Sequence, residues 1–462
     1  MRNHLLKILT LCAALLLLTG CFAQSIDELY TPPKAPGDFQ QLDAKIREVL
    51  ASGAEYAPPV QGGYTQQVQL VDLDGDGVQE AIAFFRTTVN NTNAELKSDE
   101  KPMKIYIFRQ TGEGNYEVQT VIQGDGNAIG SIAYVDLDGN PDKELVVTWQ
   151  ISVKVTQLMA YSIQGGEAVE LMQASSYTDF TLADLDMDNR QEIVVLEQNT
   201  LTDTYQANFF DYDEDRDMMV MKAYAPLSAG ITDIIDVQGP SRSAGLRDSI
   251  PALFVTSSLT SEVVTDVLAY RDGGIANVTM NPETERSEST IRFNGNIAPR
   301  DINEDGVMEL PRPKALPSLD KTTGADNFWS VLWVQYDLSG NGWPVYTTYY
   351  NGEDGWYLIL PDSWDGKIAL ARSDKSSSGE RAVVFSYWDG SDQTTPEAFL
   401  TVYKLTGPNR AARSQMAGRF TLLSTGDTIY AAQFNDKCSW DCGLDEETLP
   451  EQFRLIQADW PT

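Results

Sequence analysis

The stretch Val71-Asp72-Leu73-Asp74-Gly75-Asp76-Gly77-Val78-Gln79-Glu80 sets four acidic side chains within nine residues and runs straight into the apolar Ala81-Ile82-Ala83. It recurs as Val135-Asp136-Leu137-Asp138-Gly139-Asn140-Pro141-Asp142-Lys143-Glu144 and as Ala183-Asp184-Leu185-Asp186-Met187-Asp188-Asn189-Arg190-Gln191-Glu192. A further full copy is Arg300-Asp301-Ile302-Asn303-Glu304-Asp305-Gly306-Val307-Met308-Glu309, and a degenerate one, Ile235-Asp236-Val237, keeps only the first aspartate. The leading aspartates, at 72, 136, 184, 236 and 301, stand 48 to 65 residues apart. Each interval is long enough for about four strands of five or six residues with their turns.

Between the copies the apolar period is two, and β-branched and aromatic runs are bounded by Gly, Asn and Asp. Strands are expected at Gln67 to Leu73, Ala81 to Arg86, Met103 to Phe108, Tyr116 to Ile122, Ile132 to Leu137, Leu145 to Trp149 and Thr156 to Ile163. A four-stranded sheet on its own exposes both faces, so successive sheets must stack; arranged radially they make a β-propeller. The fold class is therefore mostly β: a propeller of about five blades over residues 60–350, with a small β-rich domain over residues 351–462. Seven blades is the alternative, with the C-terminal region supplying two that lack an acidic loop.

The pattern D-x-[DN]-x-[DN]-x-x-x-E gathers oxygens because a tight turn brings positions one, three and five around one point, and the glutamate returns from the next strand. Hard oxygen ligands of this number suit Ca²⁺, which accepts irregular six- to eight-fold coordination. An EF-hand would need its acidic residue at position twelve and flanking helices. Ordinary Asx turns joining strands are the plain alternative, but four copies of clustered carboxylates would repel strongly without a cation. The chain resembles the FG-GAP/VCBS propeller family, whose blades each carry an acidic calcium loop leading into a strand. That resemblance implies ligands Asp72, Asp74, Asp76 and Glu80 in the first loop, and Asp136, Asp138, Asn140 and Glu144 in the second. It implies Asp184, Asp186, Asp188 and Glu192 in the third, and Asp301, Asn303, Asp305 and Glu309 in the last. Position six is Gly77 and Gly306 in two loops but Asn189 and Pro141 in the others, and the copy at Asp236 is expected to bind nothing.

Residues 1–20 have the parts of a secretory signal, with Arg2 and Lys7 ahead of an apolar run from Ile8 to Leu18. The segment ends Leu18-Thr19-Gly20-Cys21, which resembles a bacterial lipobox. The resemblance implies that Cys21 becomes an acylated N-terminus, so the chain works outside the cytoplasm, held at a membrane by its lipid. Residues 21–37, with Pro32, Pro33, Pro36 and Gly37, read as a spacer. Residues 38–59 read as a short amphipathic helix, with Phe39, Leu42, Ile46 and Leu50 on one face, and a linker.

The full chain carries 34 Lys and Arg against 67 Asp and Glu, a formal charge of -33. Such a surface repels nucleic acid and attracts cations. Removing the signal takes away His4, the only histidine, which excludes His-based nucleophilic catalysis and the usual zinc sites. Cys438 and Cys442 lie close in sequence, and an even pair in an exported chain favours a local disulfide over a metal site, with free thiols as the alternative.

In the C-terminal region strands are expected at Trp356 to Leu360, Lys367 to Arg372, Ala382 to Tyr387, Phe399 to Leu405, Arg419 to Leu423 and Thr428 to Gln433, with one helix near Glu446 to Leu455. Eight of the nine tryptophans lie beyond residue 328. They fill a core or offer aromatic faces to a sugar or a protein. The function expected is a non-enzymatic, calcium-stiffened binding or scaffold protein meeting a glycan or protein partner. A carbohydrate-active enzyme, hydrolase or lyase, working with carboxylates, Tyr or Lys is the alternative. A calcium chelator is expected to lower the melting temperature clearly; an unchanged melt at low free calcium would count against structural calcium.

Overall fold

The apolar runs that follow the first three full acidic loops become strands buried on both faces, which is why they read as continuous rather than alternating. The computed structural model describes residues 37–456 apart from 88–101, 113, 154, 176, 241–244, 294–295, 320–327, 375–378 and 392–394. The signal segment, Cys21, most of the spacer and Trp460 lie outside the described residues.

The first sheet holds β1 (Glu55–Tyr56), β2 (Val68–Val71), β3 (Glu80–Arg86), β4 (Met103–Gln110) and β5 (Tyr116–Gly124). The second holds β6 (Ala128–Val135), β7 (Glu144–Gln150), β8 (Thr156–Gln164) and β9 (Glu167–Ser175). The third holds β10 (Asp179–Ala183), β11 (Glu192–Asn199), β12 (Thr204–Asp213) and β13 (Met218–Pro226), and the fourth β14 (Asp233–Gln238), β15 (Ala252–Ser258), β16 (Val263–Arg271) and β17 (Gly274–Asn277). The fifth holds β18 (Glu309–Leu316), β19 (Phe328–Tyr336), β20 (Gly342–Asn351) and β21 (Trp356–Leu360). The sixth holds β22 (Ile368–Arg372), β23 (Glu380–Tyr387), β24 (Glu397–Thr406), β25 (Phe420–Ser424) and β26 (Thr428–Phe434), and β27 (Phe453–Leu455) returns to the edge of the fifth beside β21. The chain is mostly β, built of up-and-down antiparallel sheets of the propeller-blade type. Among the described residues five of these sheets run from β1 to β21, and the sixth, ordered β22-β23-β24-β26-β25, belongs to the C-terminal region expected to be β-rich.

By compactness the chain divides into two units. One comprises the residues up to Tyr134 with Leu145–Lys154 and Tyr161–Val169; the other comprises the rest. In the first, helix α1 (Gly37–Ala51) lays Leu42, Ile46 and Val49 on Ala81, Ala83, Phe85 and Phe108 of the first sheet. The amphipathic face anticipated from sequence is this one, with Val49 more deeply buried than Leu50.

In the second unit the third and fourth sheets share a core of Leu196, Phe209, Leu253, Val255 and Leu268. The fifth and sixth share another, with Phe328, Tyr349, Trp356, Trp364, Phe385, Phe399 and Phe453. Trp356 and Trp364 are fully buried there, and Trp333 in a separate cluster with Ile302, Val331 and Tyr357, so these tryptophans serve packing, whereas Trp343 stays half-exposed. The boundary placed at residue 350 runs through a hairpin: Tyr350 pairs with Tyr357 and Asn351 with Trp356. The series of acidic loops ends earlier, at Glu309, and the fifth sheet runs on to Leu360. Two helical details also differ from expectation. A helix, α2 (Arg410–Ser414), precedes β25, and the helix expected near 446–455 is the short α3 (Leu449–Gln452), which gives way to β27.

β27 is held by pairing of Phe453 with Leu358 and Leu455 with Trp356, and the Phe453 ring lies 5.4 Å from that of Trp356 and 5.3 Å from that of Tyr430. Phe453→Ala is expected to lower stability by about 3–5 kcal/mol, read as a drop in the urea midpoint. A midpoint like that of the unaltered chain would show that the returning strand bears no load.

Candidate metal centres

Each full acidic loop ends on the first residue of a strand, and that residue is the glutamate: Glu80 opens β3, Glu144 β7, Glu192 β11 and Glu309 β18. The apolar residue after the leading aspartate donates its backbone N–H to the glutamate Oε2, at 2.9 Å from Leu73, 2.8 Å from Leu137, 2.6 Å from Leu185 and 2.8 Å from Ile302. This bond turns the carboxylate inward, so Glu144, Glu192 and Glu309 are fully enclosed and Glu80 nearly so.

The turn is closed by the leading aspartate. Its Oδ2 accepts the N–H of position six, at 3.1 Å from Gly77, 3.0 Å from Asn189 and 2.8 Å from Gly306. Positions four and six are left-handed in all three loops: Gly75 and Gly77, Met187 and Asn189, Glu304 and Gly306. Asn tolerates that region better than most residues, so Asn189 does what Gly does elsewhere. Pro141 has neither the N–H nor access to positive φ. In the second loop Asp136 accepts instead from Gly139, at 2.7 Å, through Oδ1. Positions three and five are Asx turns, each using one oxygen on the N–H two residues on, as in Asp186 to Asp188 at 3.1 Å and Asp188 to Arg190 at 2.8 Å.

The loops bring together Asp72, Asp74 and Glu80; Asp136, Asp138 and Glu144; Asp184, Asp186, Asp188 and Glu192; and Asp301, Asp305 and Glu309. In each group one oxygen per residue lies within 4.8 Å of the others. Asp76 stands outside its group and accepts from Val78 N–H at 2.7 Å. The amides of Asn140 and Asn303 donate to Asp138 and Asp305, at 2.7 and 2.9 Å. Asp236 lies within β14 and accepts from Gln238 at 2.7 Å.

The groups differ in what their inner oxygens meet. Asp72 Oδ1, Glu144 Oε1, Asp184 Oδ1 and Glu192 Oε1 are buried with no hydrogen-bond partner, an expensive arrangement unless a cation supplies the missing interaction. In the last loop Gln335 Nε2 supplies it, donating to Glu309 Oε1 at 2.7 Å and Asp305 Oδ2 at 2.8 Å, while Arg247 donates to Gln335 Oε1 at 3.0 Å and so fixes the amide's orientation. Gln335 lies opposite Glu309 in the β18–β19 pairing. Nothing in the local sequence marks it. A donor set of three or four carboxylates with no nitrogen or sulfur fits a hard divalent cation.

Burial is the largest influence on the enclosed glutamates and raises their pKa, neighbouring aspartates raise it further, and the backbone N–H bond partly offsets both. Glu144 is pushed up to about 7, Glu192 and Glu309 to about 8, and Glu80 upward.

The disulfide expected between Cys438 and Cys442 is not formed; both are free thiols. Cys438 Sγ faces the Glu397 carbonyl at 3.9 Å and Cys442 Sγ the Leu444 carbonyl at 3.4 Å, so the side chains address different backbone groups.

No family model matches the chain, and no curated protein matches it. Among solved structures it is similar to the exotype rhamnogalacturonan lyase YesX, at 12% identity over 73% of this chain and 62% of that one, with a TM-score of 0.26. It is similar to a Bacillus licheniformis rhamnogalacturonan lyase, at 15% identity over 70% and 59%, TM-score 0.31, and to the Dos1 propeller, at 10% over 82% and 89%, TM-score 0.25. The chain thus spans about three fifths of the length of the two lyases. Likenesses of this size extend to no residue, activity or partner.

The raised pKa values fix a pH dependence. A folded-state pKa above the ordinary 4.5 means that, between about pH 4.5 and 8, the folded chain holds protons the unfolded chain has lost. Stability without a divalent cation should therefore fall as pH rises through that window. A bound cation replaces the protons and should flatten the slope. Urea midpoints at pH 5.5 and 8, with chelator and with added divalent cation, measure this; a chelated midpoint that holds level or climbs with pH would contradict it.

Proposed function

We propose that this chain is an extracytoplasmic lipoprotein, tethered by acyl chains on Cys21, whose FG-GAP/VCBS-type acidic loops bind Ca²⁺ and stiffen a β scaffold that binds a glycan or protein partner without turning it over. The observation that carries the metal part is the pair of enclosed glutamate oxygens, Glu144 Oε1 and Glu192 Oε1, left without a donor among converging aspartates. Calcium suits these loops better than magnesium, because it tolerates irregular shells of carboxylate and carbonyl oxygens where magnesium demands a regular octahedron.

The role of the ion is structural on this reading. The carboxylates with the highest pKa values are the ones fully closed off from solvent, a placement that suits holding an ion and gives a substrate no access. The first three loops join strands inside single sheets, so an ion there braces the start of an inner strand, while the last leads into β18 at the edge of the fifth sheet. The strongly acidic surface argues against nucleic acid as the partner.

A glycan and protein array probed with the purified chain, in millimolar calcium and in chelator, with a product assay on the same polysaccharides, tests this reading. Binding that weakens in chelator, with no product released, is expected. Release of product would replace the scaffold by a carbohydrate-active enzyme, and binding indifferent to chelator would remove calcium from the account.

A further inference from the structure

Strand pairing sets Arg312 opposite Leu332, Leu332 opposite Thr347 and Thr347 opposite Leu360. Directly opposed residues share a face, so these four side chains form a row across β18, β19, β20 and β21. The row lines a cavity of about 410 Å³, to which Leu316, Trp364 and Ile368 add apolar surface. That volume falls within the usual range of small-molecule sites, roughly 300–1,000 Å³, and the lining follows their usual plan of apolar walls with a few polar groups.

The polar groups are unequal. At the rim Lys314 and Asp365, both largely exposed, pair with each other at 3.3 Å, and Asp362 is exposed to water beside them. Arg312 has no carboxylate partner among the described residues. Its Nη2 donates to the Tyr336 hydroxyl at 2.8 Å, and its Nε is buried with no acceptor. A buried guanidinium N–H left unpaired is costly, and a carboxylate is the acceptor it fits best.

We propose that this cavity binds a small organic carboxylate with an aliphatic or aromatic body. The carboxylate pairs with the Arg312 guanidinium and accepts from the Thr347 hydroxyl, and the body rests on Leu316, Leu332 and Leu360. The site is separate from the acidic loops and stands whether or not they hold ions.

Isothermal titration of the full chain with octanoate and with its neutral counterpart octanamide tests the proposal. One octanoate per chain is expected, with octanamide weaker by at least about tenfold because a charge-assisted hydrogen bond becomes a neutral one. Arg312→Gln should bring octanoate down to the level of octanamide, and Leu332→Trp, which fills the cavity, should abolish binding of both. Equal binding of the two probes to the unaltered chain overturns the proposal. So does octanoate binding that survives Leu332→Trp, and so does the absence of octanoate binding at millimolar concentration.

Discussion

Four times along this chain the N–H of an apolar residue directly after an aspartate reaches forward to a glutamate seven residues later, at 2.6 to 2.9 Å. The bond couples two needs that pull against each other. The glutamate begins a strand whose first residues are buried on both faces, where a carboxylate is unwelcome, and the leading aspartate begins a turn that must hold several negative charges close together. Folding the glutamate back toward the aspartates removes it from the apolar stack and completes an oxygen cage. Strand, turn and cage are thus set by one contact, which four of the six sheets carry at the start of a strand.

The cage is local, and that is why it was legible. Every implied ligand lies within nine residues of the others, so spacing alone brings most of them to one point. Asp76 shows the limit of that reasoning: its position in the pattern is right and it caps Val78 as Asp188 caps Arg190 and Asp305 caps Val307, yet it alone of the three stands outside its group. Gln335 shows the other limit. It meets Glu309 only through the pairing of β18 with β19, and no sequence signal within either segment announces it. The five sheets up to β21 match the five repeats, although the repeats are uneven. Acidic loops were the only repeat marker, the fourth sheet keeps one aspartate of its loop, and the sixth has none. Strand alternation in the C-terminal region is legible too, but the placing of β26 between β24 and β25 depends on long-range pairing.

The loops are variations on one device rather than copies. Asn189 takes the left-handed position that Gly77 and Gly306 take elsewhere, so the third loop keeps its closing bond. Pro141 forbids it and the second loop closes through Gly139. The second and third loops are also joined, because Gln191 donates its N–H to the Asp136 carbonyl at 2.8 Å. In the last, an amide sits where the other cages present bare oxygen. Between them the loops span a range from self-satisfied to strongly cation-seeking, on one backbone plan.

The return of β27 to the fifth sheet has a topological result. Residues 361 to 452, including the whole sixth sheet, leave the edge of β21 and come back to that same edge. They form an excursion with both feet planted in one place, much as an inserted domain does. A single cut within it would leave both fragments anchored to the fifth sheet, and its own loops are free to change in length without disturbing the sheet from which it springs.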